Sequence, residues 1–214
     1  MIFLRFLRPF RPVLRPVGLL LAAALLLSAC QAKEPAASEA LPDLKTVRNM
    51  TPAEQARDVS AAIEQDPTNV ALYQRRAHLY LTLRNHEAAL ADAEQVIKLA
   101  GPSADNYLLR AQARRAAGRI KPAQDDCRQA EQLGLTGPEL PLLQGELAFI
   151  EREYQVAITY FNEALKRSPF EERAYFYKGM VYAETGDTTR AVSAFQTATE
   201  QAPELADAFS QLAA

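Results

Sequence analysis

The sequence predicts an all-α fold, a solenoid of stacked antiparallel helix pairs. Beyond Thr51 the chain resembles itself at a spacing of 34 residues, and a fixed period of that length marks stacked supersecondary units. Within each period, apolar residues recur at helical spacing in two stretches separated by a short turn. Pro67, Pro169 and Pro203 fall where the second stretches end, and proline cannot continue a helical hydrogen-bond ladder.

The first element in chain order is not part of that stack. Residues 1–17 carry Arg5, Arg8, Arg11 and Arg15 and no acid, and an uncharged run follows from Gly18 to Ala29. Twelve residues fall short of the roughly 20 that a helix needs to cross a bilayer, and the charged-then-greasy order is that of a secretory signal. Leu27-Ser28-Ala29-Cys30 resembles the lipobox of bacterial lipoproteins. That resemblance implies cleavage after residue 29 and a lipid on Cys30. Two or three acyl chains hold a protein at a membrane where one does not. An ordinary signal peptide followed by a chance cysteine is the alternative. Residues 30–50 then read as a flexible tether, poor in aromatics and mixed in Pro, Ala, Ser and Glu, spanning roughly 25 Å as a coil.

The folded body covers residues 51–214. Residues 51–67 match only a second helix and are expected to cap the stack. Four frames follow, 70–103, 104–137, 138–171 and 172–205. Their eighth place is Ala77, Ala111, Gly145 and Gly179, and their twentieth is Ala89, Ala123, Ala157 and Ala191. The twenty-fourth is Ala93, Cys127, Phe161 and Phe195. Small residues at fixed places let two helices approach where they cross, so Gly179 and Ala191 are expected at a close backbone crossing. Gly186 suits the tight turn within the pair. Pro141 stands where the other frames carry Tyr73, Tyr107 and Tyr175, so the first helix of the third frame is expected to start late with that proline in its first turn. Residues 206–214, with Phe209 and Leu212, are expected to form a C-terminal capping helix.

This pattern resembles the tetratricopeptide repeat (TPR) family, whose helix pairs carry a Trp-Leu-Gly-Tyr-Ala-Phe-Pro signature at these places. The resemblance implies a right-handed α-solenoid whose function resides on a concave inner face lined by first helices. The family's leucine at the seventh place is here Arg76, Arg110, Gln144 and Lys178, and their heads are expected to reach water over apolar stems.

Composition excludes several function classes. The chain holds 24 basic and 26 acidic residues; with four arginines and no acid ahead of Cys30, the remainder has a net charge of −6. That balance argues against nucleic acid, whose binding needs clustered cations. His78 and His86 are the only histidines, without a metal-ligand or phosphate-loop motif, so neither enzyme activity nor a cofactor is expected. His86 is expected at the surface and Asp125 and Asp126 on a solvated face. Cys127, the thiol left without a partner, sits at a packing place and is expected to be structural.

Through the resemblance, the inner face offers Leu108, Gln112, Arg115, Leu142, Glu146, Phe149, Arg173, Phe176 and Met180 to a partner. The paired Lys and Asn of chaperone-binding members are absent from these places. The expected role is a non-enzymatic scaffold, anchored in the cell envelope through Cys30, that binds an apolar or amphipathic segment of an envelope protein. Gln31, rather than Asp, follows the cysteine, which by the resemblance favours the outer membrane. Two alternatives stand beside this reading. In one, the fifth-place residues, Leu108, Leu142 and Phe176 among them, serve as core. In the other, the chain is a structural subunit that forms a homo-oligomer through its stack ends.

Overall fold

The computed structural model describes residues 50–202. These form nine helices: α1 (Pro52–Gln65), α2 (Val70–Thr82), α3 (His86–Ala100), α4 (Ala104–Ala116), α5 (Ile120–Gln132), α6 (Glu139–Ile150), α7 (Tyr154–Arg167), α8 (Glu172–Glu184) and α9 (Thr188–Gln201). The helix pairs α2/α3, α4/α5, α6/α7 and α8/α9 fall inside the four 34-residue frames. Each helix packs on the next in the chain. The expected signal segment, Cys30, the expected tether up to residue 49, Pro203 and the expected capping helix at 206–214 lie outside the described residues.

α1 begins in a capping box. Thr51 Oγ1 accepts from the Glu54 N–H at 3.3 Å, and the Glu54 carboxylate accepts from the Thr51 N–H at 2.7 Å, satisfying donors that the first helical turn leaves unpaired. It buries Ala56, Val59 and Ile63 beside α2. α6 starts at Glu139, one place later than its counterparts, with Pro141 in its first turn, where a missing N–H costs no helical hydrogen bond.

Every turn inside a helix pair closes the same way. After α2, α4, α6 and α8 the chain enters the left-handed region at Arg84, Gly118, Arg152 and Gly186, with φ of 57°, 73°, 63° and 80°. The N–H groups of Asn85, Arg119, Glu153 and Asp187 then donate to carbonyls of Tyr80, Arg114, Ala148 and Tyr182 at 2.8–2.9 Å. This double-bonded end caps orphan carbonyls of the helix.

The core runs as three clusters along the stack. Cys127 is 1 % exposed, and burial, then the neighbouring Asp126 charge, pushes its thiol up to about 12, so it is an inert packing group. The close approach expected around Gly179 is made by a ring. A Cβ on Gly179 would lie 2.6 Å from Phe195 Cε1, and one on Gly145 would lie 2.5 Å from Phe161 Cε1. The glycines are sockets for aromatic side chains rather than backbone contacts.

The seventh-place side chains also differ from the expectation. Arg76 donates from Nε and Nη2 to both oxygens of Asp92 at 2.8 and 2.7 Å, and from Nη1 to Ser60 Oγ at 2.9 Å. Arg110 grips Asp126 through the same two nitrogens at 2.9 and 2.7 Å. Their heads turn inward because a buried carboxylate waits sixteen residues on, and a bidentate charge-assisted pair outweighs hydration of one guanidinium. Asp126 is therefore buried, not part of a solvated face, whereas Asp125 is exposed beside Arg128. Lys178 follows a third course and donates to Asn162 Oδ1 at 2.8 Å.

Candidate functional site

First helices meet one another along one side of the stack: α2 touches α4, α4 touches α6 and α6 touches α8. The groove they form encloses about 600 Å³. α2 contributes His78 and Leu81 to it, α4 contributes Gln112 and Arg115, α6 contributes Leu142, and α8 contributes Arg173. Helical spacing explains the set, since residues three or four apart share one helix face.

At its floor stands Glu146, 1 % exposed, between two arginines. Arg115 Nε lies 3.0 Å from Glu146 Oε2, off the line of a hydrogen bond, so that contact is ionic and both atoms are buried without a hydrogen-bond partner. Arg173 Nη2 donates to Glu146 Oε1. An unpaired carboxylate at this depth would be strongly unfavourable, so the arginines hold the anion and the anion orients the arginines. Burial, with the Glu146 charge next, keeps the Tyr177 phenol above its usual range.

The remaining donors of both guanidinium groups have no acceptor among the described residues. Arg84 adds a third cation and Glu139 a second carboxylate to the groove. Desolvation lowers the pKa of His78 from the ordinary histidine value. His86, expected at the surface, is half-buried with its Nδ1 lacking a partner. The groove is thus polar with an excess of cations, and its apolar surface is confined to leucines and Ala116.

Of the nine residues predicted to meet a partner, Gln112, Arg115, Leu142 and Arg173 line this groove, and Glu146 underlies it. Leu142 and Phe176 are 4 % and 6 % exposed, so for these two the core alternative describes the structure. Phe176 packs its ring on Tyr177 and Phe195. Phe149 is half-buried, its ring centroid 6.1 Å from Tyr154 and 6.0 Å from Tyr177. Leu108 is half-buried against the second core cluster, and Met180 is half-buried on α8. Sequence reasoning missed Arg84 and His86 because both follow the first helix instead of lying on its inner face. Among the described residues no group of three or more His, Cys, Asp or Glu side chains is placed to hold a metal ion, and no helix is long and apolar enough to cross a membrane.

Two stretches match the tetratricopeptide repeat by sequence, residues 60–91 and 142–206. Both stretches are recognised as tetratricopeptide repeats. It is 27 % identical over 164 residues to Tetratricopeptide repeat protein 13 of Homo sapiens, covering 74 % of this chain and 19 % of that protein. It is 30 % identical over 143 residues to the Tetratricopeptide repeat and J domain-containing co-chaperone DNJ1 of Cryptococcus neoformans var. grubii, covering 62 % and 27 %. The aligned region spans under a third of each of these curated relatives.

Among solved structures, the TPR protein TTC0263 of Thermus thermophilus superposes with a TM-score of 0.64 at 17 % identity, over 75 % of this chain and 89 % of that one. MamA does so with 0.55 at 21 %, over 76 % and 94 %. YrrB, a TPR protein with an unusual peptide-binding site, matches with 0.50 at 26 %, over 72 % and 79 %. The fold is an α-solenoid of stacked helix pairs like that of these TPR proteins.

Proposed function

We propose that this chain is a non-enzymatic interaction scaffold whose groove holds an amphipathic segment of a protein partner through carboxylates placed on Arg115 and Arg173. The observation that carries the reading is the pair of guanidinium groups oriented by buried Glu146 with donors still free, beside half-buried Leu81 of the groove wall. A fixed guanidinium loses little further freedom when it meets a carboxylate. The likeness to a TPR protein with a peptide-binding site and the general use of TPR stacks as scaffolds support the same role.

Peptide display against the full chain in detergent tests it. Recovered sequences should combine acidic with apolar residues and lose binding to the neutral variant Arg115→Gln/Glu146→Gln/Arg173→Gln. Glu146→Gln alone, which keeps both cations but removes the anion that orients them, should weaken binding less than the triple variant does. Selection that ignores charge, or binding unchanged in the triple variant, would overturn the assignment.

The scaffold is tethered, in this reading, to an envelope membrane through lipid on Cys30, with Gln31 directing it to the outer membrane. Cys30→Ser should leave an uncut precursor that takes up no fatty-acid analogue. Label incorporated equally by the serine variant would exclude Cys30 as the anchor, and fractionation with the inner membrane alone would exclude the outer-membrane placement.

A further inference from the structure

A second cleft, of about 400 Å³, lies between second helices α5 and α7 with α6 as its floor. Its counterpart one repeat earlier, between α3 and α5 over α4, is occupied by this chain's own guanidinium groups. There Arg110 grips Asp126, and Arg114 Nη1 reaches the same carboxylate at 2.9 Å and the Pro122 carbonyl at 3.2 Å. Thirty-four residues on, Arg110 is replaced by Gln144, Arg114 by Ala148 and Asp126 by Tyr160, and all three replacements line the cleft. Two long cations have been exchanged for an amide and a methyl group.

The surroundings that remain accept hydrogen bonds and positive charge. The Tyr160 hydroxyl and Gln144 amide make no hydrogen bond among the described residues, and Glu131 and Glu153 make no ion pair there. The cations on this side are engaged: Lys121 stands 3.5 Å from Glu151, and Arg128 pairs with Asp125. Burial first, and Glu131 next, hold the Tyr160 phenol above its ordinary value, consistent with a negative local potential. Leu147 and the half-exposed Val156 provide an apolar wall for an aliphatic stem.

We propose that this cleft receives an arginine side chain from a basic segment of a protein partner, seated where Arg114 sits in the preceding repeat. Arginine suits it because a planar, weakly hydrated guanidinium offers five donors to acceptors spread around a rim. The deep anion of the preceding repeat is absent, so the site suits an arginine that docks and leaves rather than a permanent internal clamp. The net charge of −6 beyond the signal segment favours encounter with a basic partner. This docking is separate from the groove on the first helices, and a scaffold with both would join two partners of opposite charge.

The test uses full-length protein in detergent with isotope-labelled tyrosine, the Tyr160 signal being assigned by its loss in Tyr160→Phe. N-acetyl-arginine amide, and a heptapeptide with one central arginine between glycines and serines, should shift that signal saturably. The neutral isostere N-acetyl-citrulline amide should not. Ala148→Arg, which restores the preceding repeat's residue, should abolish the shift, and the surface double change Glu131→Gln/Glu153→Gln should weaken binding about tenfold, equivalent to about 1.4 kcal/mol. The double change carries the test if Ala148→Arg perturbs folding. Equal response to citrulline, no saturable shift, or indifference to both variants would overturn the proposal. Entry of the free amide with exclusion of the peptide would overturn the protein partner and leave a small-cation site.

Discussion

In the first two repeats, the eighth and twenty-fourth places pair Ala77 with Ala93 and Ala111 with Cys127, and the helices are tied by Arg76 on Asp92 and Arg110 on Asp126. In the last two, Gly145 receives Phe161 and Gly179 receives Phe195, with no such pair at the seventh and twenty-third places. The same crossing is thus held by a polar staple at one end of the stack and by a ring in a glycine socket at the other. The pairing of small with small and smallest with largest shows that side-chain volume at the crossing is set jointly. What varies is whether dispersion or charge supplies the remaining attraction.

The largest expected effect is at the socket. Phe161 is fully buried and stacked on Tyr177 with centroids 5.6 Å apart, so Phe161→Ala should lower stability by about 3–5 kcal/mol in chemical denaturation. Cys127→Ala at the matching place should lose about 1 kcal/mol. Gly145→Ala alone should destabilise by about 1–3 kcal/mol through overpacking but be neutral or better in the Phe161→Ala background, where helix propensity favours alanine. Additive effects would show that glycine and ring do not share one space.

Next comes the staple. Asp126→Ala removes a buried carboxylate that accepts from both Arg110 and Arg114. Both guanidinium groups retain some access to water, so the expected loss is about 1–3 kcal/mol and below that of Phe161→Ala. Asp92→Ala should cost less because Asp92 meets one arginine. A loss at Asp126 no greater than at Asp92 would contradict the counting of partners.

The smallest effect lies in the turns, where the comparison alternates. Gly118 and Gly186 adopt positive φ freely, whereas Arg84 and Arg152 carry a Cβ into the same region. Arg152→Gly should stabilise by about 0.5–1 kcal/mol, because relief of left-handed strain exceeds glycine's entropy penalty. Thermal unfolding at unchanged or lower temperature would show that the Arg152 side chain contributes more than its backbone strain removes.

Much of this architecture was legible because spacing encodes it. The 34-residue period located every described helix pair, and Pro141 announced the late start of α6. The reciprocity of Gly145 with Phe161 was also present in the sequence, but volumes must be compared across two places to see it. The staples were harder to read. Arg76 with Asp92 and Arg110 with Asp126 share one sixteen-residue offset, a recurrent signal, yet residue-by-residue hydropathy sends each head to water. The groove was half legible. Arg115 and Arg173 fell on predicted lining places, but the burial of Glu146 depends on two cations from neighbouring helices, and its one trace in the sequence is an acid inside the apolar run of α6. Phe176 shows the converse: an inward-facing place on the first helix does not ensure exposure when the neighbouring rings are large.

The measurement that bears most directly on the groove as the functional surface is photocrosslinking in the native host from two single positions. Gln112 lies within the groove and Val192 on the exposed side of α9. A crosslinker replacing Gln112 should yield a discrete adduct whose attached peptide combines acidic and apolar residues, and the adduct should disappear when Arg115, Glu146 and Arg173 are all changed to glutamine with helical circular dichroism retained. The same adduct formed equally from Val192, or from Gln112 irrespective of the three substitutions, would contradict the account.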